Sequence, residues 1–287
     1  MRPRTLPVSV AGVLAGAACA IFTGRFIIMP ALCCLLFALL AQVASNFANE
    51  YFDFRNGLDR KGREGFRRGV TEGDISPEAM KRATYLTLLL AAVPGGCLII
   101  WGGWWLLAVG ILVAIFALAY STGPYPLSHH GLGDIAVVIF FGLVPVGFTA
   151  WLMTGDTAVL PMGAAVGTGV GMLAANVLIV NNYRDMEDDR AVGKRTTVVI
   201  FGRKAAARFY LFNSVAGLLL LCAPAILTKP WWWGPLLMLP AAAANLRRLR
   251  SQSGSRLNAV LKQTAQLLLA ATLILLTEAL AELAILC

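Results

Sequence analysis

Long apolar runs recur along this chain, and each is close to the length a helix needs to cross a bilayer. Nine can be marked, near residues 7–23, 28–50, 83–100, 104–121, 134–153, 157–180, 206–226, 231–247 and 261–284. A hydrocarbon core about 30 Å thick takes roughly 20 apolar residues, and a helix suits it because every backbone hydrogen bond is made within the segment. The third and fourth runs are divided only by a short turn at "WGGWW", residues 101–105. With 58% hydrophobic and 14% charged residues, the chain is not an ordinary soluble domain. The expected fold is all-α integral membrane, nine transmembrane helices forming one domain over residues 1–287.

Charge placement tests that count, because Lys and Arg collect on the cytoplasmic side. With nine spans and a cytoplasmic N-terminus, all but Arg25 and Lys229 of the 24 Lys and Arg fall inside. A miscounted span between the loops would scramble this split. The net charge of +9 then follows from topology, an anionic inner leaflet and an anionic substrate, and calls for no nucleic acid. Arg2 and Arg4 before "AGAACA" look like the start of a signal peptide, but the further spans make residues 7–23 the first membrane helix. The 6 cysteines lie in apolar runs without metal-ligand spacing and read as small buried hydrophobes.

The acids are clustered. Glu50, Asp53 and Asp59 open one group, and Asp185, Glu187, Asp188 and Asp189 form another, each where an apolar run reaches the inner face. In a helix Asn49 and Asp53 stand at i and i+4, and Asn182, Asp185 and Asp189 at i, i+3 and i+7, so each set shares a face. Carboxylates at a helix C-terminus oppose the macrodipole and one another, a penalty that a bound cation removes. Ligand sets made of oxygen alone suit Mg2+, which usually bridges carboxylates to a substrate's phosphate oxygens. The candidate metal ligands are therefore Asn49, Asp53, Asp59, Asn182, Asp185 and Asp189. Arg63, Arg68, Lys194 and Arg195 stand just beyond them, placed to hold a diphosphate. Taken singly, Glu187 or Asp188 reads equally well as a solvated loop charge.

At these residues the chain resembles the UbiA-type intramembrane aromatic prenyltransferases. The likeness runs through "RPRTLP" at 2–7, "SNFANEYFDFRNGLD" at 45–59, "RRG" at 67–69, "YSTGPYPLSHHGLGD" at 120–134, "FFG" at 140–142 and "NNYRDMEDDRAVGKRT" at 181–196. The spacing from Asp53 through Gly57 to Asp59, the "GLGD" stretch and the "GKRT" ending point to the family's naphthoate branch. The pattern is departed from in three places. Glu50 replaces an Asp, His129 and His130 replace a Tyr, and Phe66 replaces a Pro.

The resemblance implies nine helices around a central cavity, with cytoplasmic cap loops after helices 2 and 6. It also implies transfer of a polyprenyl group from a polyprenyl diphosphate to 1,4-dihydroxy-2-naphthoate, with loss of carbon dioxide and pyrophosphate, giving demethylmenaquinone. Mg2+ is the implied cofactor, and a bacterial cytoplasmic membrane the implied location. Such a site excludes the water that would quench an allylic cation. Tyr120 is a candidate to face that cation or to orient the acceptor. His129 and His130 follow a "GPYP" turn and read as a surface turn, while Trp231, Trp232 and Trp233 read as an outer aromatic belt. Ser76 before Pro77 and Glu78 marks a helix start, and Gly131 and Gly133 make no phosphate loop because no strand precedes them. A cation-coupled transporter is the rival from another class. It would carry inverted motifs near the bilayer midplane, whereas these two lie on one face beside bases.

Overall fold

The computed structural model describes residues 5–59, 67–227 and 233–286. Among these residues the regular structure is helical, without a strand. In chain order the helices are α1 (Leu6–Phe22), α2 (Met29–Arg55), α3 (Gly69–Glu72), α4 (Pro77–Cys97), α5 (Ile99–Gly102), α6 (Leu106–Ala119), α7 (Gly133–Val137), α8 (Val144–Thr154), α9 (Leu160–Ala191), α10 (Thr197–Leu221), α11 (Ala223–Leu227), α12 (Leu239–Ser251) and α13 (Leu257–Leu286). A π-helical stretch, Val138–Leu143, joins α7 to α8 in one continuous segment.

Six segments among the described residues are long and apolar enough to cross a membrane: Met29–Arg55, Pro77–Gly102, Gly133–Thr154, Thr157–Ala191, Thr197–Leu221 and Gly254–Ile285. Two shorter apolar helices, α1 and α6, have 17 and 14 residues, and α12 has 13. At 1.5 Å per residue, α6 spans only about 21 Å of a hydrocarbon layer about 30 Å thick. The division expected at "WGGWW" is present. Gly103 adopts φ 84°, a left-handed conformation that closes α5 before α6 begins.

The hydrophobic runs underestimate three helices. α2 continues past the apolar run to Arg55, α9 continues to Ala191, and α10 starts at Thr197 rather than near 206. The side chain of Thr196 caps α10 by accepting from the Val199 N–H at 3.3 Å, and Gly202 at φ 80° kinks the helix immediately before Arg203 and Lys204. The helix is interrupted at this kink, and its long arm begins after Gly202, near the start of the apolar run. α9 has 32 residues, about 48 Å of helix, so its last turns reach beyond a hydrocarbon layer and carry the second acidic motif.

α9 is the hub of the bundle. Its spanning window is 72% buried, against 17% for the Pro77–Gly102 segment. Close approach is made with glycine, as expected where membrane helices associate by contact rather than by the hydrophobic effect. A Cβ on Gly171 would stand 2.6 Å from the Val138 carbonyl, and one on Gly169 2.6 Å from that of Gly217. Similarly, α1 meets α8 where a Cβ on Gly16 would stand 2.6 Å from the Val146 carbonyl. Ser76 caps α4 as expected, accepting from the Ala79 N–H at 3.2 Å with Pro77 in the first turn. The described cysteines Cys19, Cys33, Cys34, Cys97 and Cys222 are free thiols. Arg2, Arg4, Arg63, Phe66, Lys229, Trp231, Trp232 and Cys287 lie outside the described residues.

Candidate active site

Both acidic motifs end their helices with the same device. After α2, Gly57 turns left-handed at φ 66°, its N–H bonds the Phe54 carbonyl at 3.0 Å, and the Leu58 N–H returns to the Asp53 carbonyl at 2.8 Å. After α9, Gly193 turns at φ 75°, its N–H bonds the Arg190 carbonyl at 3.2 Å, and the Lys194 N–H returns to the Asp189 carbonyl at 2.8 Å. These are two Schellman caps in the same register. They superpose Asp53 on Asp189, and Asn46, seven residues earlier, on Asn182. Asn49 then corresponds to Asp185. Asn46, and not Asn49, is therefore the counterpart of Asn182, at the same seven-residue spacing from the capping aspartate.

The two caps, the loop at Arg68 and the segment from Tyr120 to Asp134 enclose a polar pocket of about 170 Å3. Of the residues expected at the site, Asn49, Asp53, Arg68, Tyr120, Asn182, Asp189 and Lys194 all line it. Asp53 is 3% exposed and lies between two cations, 3.4 Å from Arg68 Nη2 and 3.4 Å from Lys194 Nζ. Arg68 Nε is also 3.4 Å from Asp59 Oδ2, behind the pocket wall. The Nη1 atom of Arg68 is buried with no hydrogen-bond partner among the described residues, so this guanidinium keeps donor capacity for an anion.

Other expected residues stand differently. Asp185 is not part of the pocket wall. Its carboxylate takes a two-pronged contact from Arg184, Nε to Oδ1 at 2.7 Å and Nη2 to Oδ2 at 2.8 Å, and Arg184 Nη1 reaches Asn258 of α13 at 2.6 Å. Glu50, also 3% exposed, accepts the Val70 N–H at 3.1 Å, so it anchors the start of α3 and with it the neighbouring Arg68. Glu187 is solvated, pairing with Arg190 at 3.0 Å and Arg203 at 3.4 Å. The Arg195 side chain is exposed, and its N–H bonds the His129 carbonyl at 2.9 Å.

That bond makes the 127–130 turn more than a surface feature. It ties the Tyr120–Asp134 loop to the segment following Lys194. Ser128 supports the other side, donating its N–H at 3.0 Å and its hydroxyl at 2.7 Å to the Tyr120 carbonyl. His130 stacks on Tyr125 with centroids 3.6 Å apart, and its Nδ1 lies 2.8 Å from the Pro126 carbonyl. Burial, and then the Lys194 cation, hold the His129 imidazole below its ordinary value of 6.5, with Asp53 opposing them. His129 is therefore neutral at neutral pH.

The pocket's donors suit a hard divalent ion. Asn46, Asn49, Asp53, Asn182 and Asp189 offer oxygen, with neither sulfur nor imidazole on the wall. Among the described residues no three of His, Cys, Asp and Glu converge as a ready metal cage. One carboxylate and its amides from each helix end fit Mg2+, which takes one or two carboxylates and completes its shell with phosphate oxygens and water.

A second, larger cavity of about 330 Å3 adjoins the first, and it is lined mainly by apolar side chains of α2, α4, α6 and the α7–α8 segment. Gln42, Ser45, Tyr120, Val137 and Phe141 line both. The arrangement can hold a ligand with an anionic head and an apolar tail, with the join between the two at Tyr120.

Comparison with known proteins agrees. Residues 9–276 match the model of the UbiA prenyltransferase family. The chain is 38% identical over 216 residues to 1,4-dihydroxy-2-naphthoate octaprenyltransferase of Escherichia coli (strain K12), covering 73% of this chain and 70% of that one. Among solved structures, the apo structure of a UbiA homolog from Aeropyrum pernix K1 superposes with a TM-score of 0.70 at 16% identity, covering 96% of each chain. A UbiA homolog from Archaeoglobus fulgidus bound to DMAPP and Mg2+ superposes with a TM-score of 0.64 at 16% identity, covering 96% of this chain and 98% of that one. On the extent of the sequence match and the shared fold, this multi-pass membrane protein belongs to the UbiA prenyltransferase family.

Proposed function

We propose that the protein transfers a polyprenyl group from a polyprenyl diphosphate to 1,4-dihydroxy-2-naphthoate, releasing pyrophosphate and carbon dioxide and giving demethylmenaquinone. The observation that carries this reading is the direct junction of the polar pocket with the apolar cavity at Tyr120, Val137 and Phe141. A diphosphate seated among Arg68, Lys194 and the two helix ends would lay its isoprenoid chain along the apolar wall. The relative in Escherichia coli named for the same acceptor supports the choice of naphthoate.

Arg68 and Lys194 bind the diphosphate and neutralise the charge that grows on it as the allylic carbon–oxygen bond breaks, the moment at which preorganised charge counts most. Arg63, from the same basic loop, is a further diphosphate-binding candidate. Asn46, Asn49, Asp53, Asn182 and Asp189 would hold Mg2+, with Asp59 steadying Arg68 from behind. Asp185, held by Arg184 and not part of the pocket wall, would join that set only by turning a remaining lone pair toward it. When bound, the ion supplies further charge stabilisation to the leaving pyrophosphate. The Tyr120 ring stands where the allylic carbon would lie, an electron-rich face for developing positive charge. The apolar lining of the cavity favours attack by the aromatic carbon over attack by water.

The finer architecture belongs to the same reading: nine spans in a bacterial cytoplasmic membrane, a cytoplasmic N-terminus, and cytoplasmic cap loops after the second and sixth spans. The experiment is an assay of purified protein in detergent with a polyprenyl diphosphate, 1,4-dihydroxy-2-naphthoate and Mg2+, with and without EDTA, read by mass spectrometry of the lipid extract. A Mg2+-dependent prenylated naphthoquinol that has lost carbon dioxide is expected. Product with 4-hydroxybenzoate alone would overturn the acceptor, and no product with any aromatic acceptor would overturn the reaction.

A further inference from the structure

Asp134 opens α7 on the wall of the polar pocket, immediately after Gly133. Its Oδ2 accepts the Thr197 hydroxyl of α10 at 2.5 Å. Its Oδ1 is buried and has no hydrogen-bond partner among the described residues. Leaving a carboxylate oxygen desolvated and unbonded is costly, and a ligand that supplies a donor there recovers the loss.

Which ligand can do so follows from the chemistry of the substrates. The diphosphate and the acceptor's carboxylate are anionic acceptors, and Asp134 repels both. The isoprenoid chain has no polar hydrogen. The pocket's own cations pair with other carboxylates, Arg68 with Asp53 and Asp59 and Lys194 with Asp53, and the donor that Arg68 keeps at Nη1 serves the diphosphate. Among the groups the substrates bring, the phenolic hydroxyls of the aromatic acceptor are the ones that can donate. Position agrees, because Val137, one helical turn beyond Asp134, lines both the polar pocket and the apolar cavity. A ring held by Asp134 would lie at the junction where the allylic carbon is exposed. Tyr120 stands close to this end of α7, its hydroxyl 3.4 Å from where a Cβ on Gly133 would stand and Leu178 Cδ2 3.2 Å from the same point, so glycine there lets both side chains approach Asp134.

We propose that Asp134, braced by Thr197, is the acceptor-selecting residue, its Oδ1 receiving a hydrogen bond from a ring hydroxyl of the dihydroxy-aromatic substrate. This rests on the function proposed above. It assigns Asp134 to recognition of the acceptor and separates it from the diphosphate and metal groups.

The test is a steady-state comparison of the full-length protein with its Asp134→Asn and Thr197→Val variants, titrating each substrate at saturating levels of the other. Asp134→Asn should raise KM for 1,4-dihydroxy-2-naphthoate on the order of 10- to 100-fold, the range for a hydrogen bond to a charged group. KM for the prenyl diphosphate and the Mg2+ requirement should not change. Thr197→Val, which leaves the carboxylate but frees it to turn, should shift the acceptor KM in the same direction by less, and it keeps the test open should Asp134→Asn fail to fold. The two monomethyl ethers of the acceptor give a second readout. The wild type should discriminate strongly against one of them, and Asp134→Asn should lose most of that discrimination. An unchanged acceptor KM, or a raised KM for the prenyl diphosphate, would overturn the assignment. A wild type that makes no product from the naphthoate would instead sink the function it rests on.

Discussion

Asp53 and Asp189 occupy equivalent places on two helix ends, yet their surroundings separate two kinds of cost. Asp53 lies between Arg68 and Lys194, so Asp53→Ala removes a metal-ligand candidate and also takes a counterion from two largely buried cations, with Arg68 keeping Asp59. Breaking a buried pair in this way commonly costs about 3–5 kcal/mol, although the 3.4 Å separations place this one toward the low end. Asp53→Ala should therefore lose turnover by on the order of 100- to 1000-fold and also melt earlier, while Asp53→Asn should lose turnover with a smaller change in melting. Paired activity and thermal-shift measurements in detergent check this, and wild-type turnover in Asp53→Asn would refute it. Asp185→Ala should show a different balance, because it strands Arg184 and loosens the link between α9 and α13 through Asn258. Replacing both Arg184 and Asp185 with neutral residues should recover part of that stability. His129 adds a pH dependence. Its folded pKa lies below the unfolded value of about 6.5, so its contribution to stability is complete above that value and is lost as pH falls through the folded pKa. The wild type should lose thermal stability as pH falls below about 6.5, and His129→Gln should lose less over the same fall.

At the scale of elements, the paired caps make positions 57 and 193 special. Each glycine turns left-handed so that the chain can fold back, which brings Leu58 over Asp53 and Lys194 over Asp189. An alanine in that conformation costs on the order of 1 kcal/mol, and the strain is relieved by moving the residues that follow. Gly193→Ala should therefore raise KM for the prenyl diphosphate by displacing Lys194, with the protein still folded, whereas Gly24→Ala at φ 73°, far from either motif, should not alter KM. The grammar of the two motifs was legible because it is local: helical spacing, a glycine, then a base. What escaped depends on rotation and on distant partners. Successive residues point about 100° apart on a helix, so a shift of three positions decided whether Asn46 or Asn49 matched Asn182. Asp185 looked like its neighbours in sequence, and only the Arg184 contact to Asn258 on α13 shows where it is held. Asp134 gained its meaning from Thr197, 63 positions away. Helix ends were misjudged for a related reason, since a membrane helix stops being apolar where it leaves the lipid but continues while its backbone bonds continue.

The whole molecule is polarised along its long axis. At one end lie the C-termini of α2 and α9, the starts of α7 and α10, and the basic residues Arg67, Arg68, Lys194, Arg195 and Arg203. At the other, the loop after α1 meets the end of α8, where the Ile27 N–H bonds the Met153 carbonyl at 2.8 Å. Arg25 is the sole Lys or Arg in those two loops, residues 23–28 and 155–159. The bias of Lys and Arg toward the cytoplasm predicts which way the axis points. The pocket end should face the cytoplasm, where an anionic, water-soluble naphthoate can reach it, while the apolar cavity lies at the depth of the lipid tails. Single cysteines introduced into a cysteine-free background test this with a membrane-impermeant maleimide. Glu72→Cys and Arg195→Cys should label only in inside-out vesicles, and Thr23→Cys and Asp156→Cys only in right-side-out ones. Labelling of all four from one side would mean an even number of crossings between the two pairs of loops, and the reverse pattern would place the active site outside. Either result would remove the topological basis for a cytoplasmic acceptor, whatever the chemistry of the pocket.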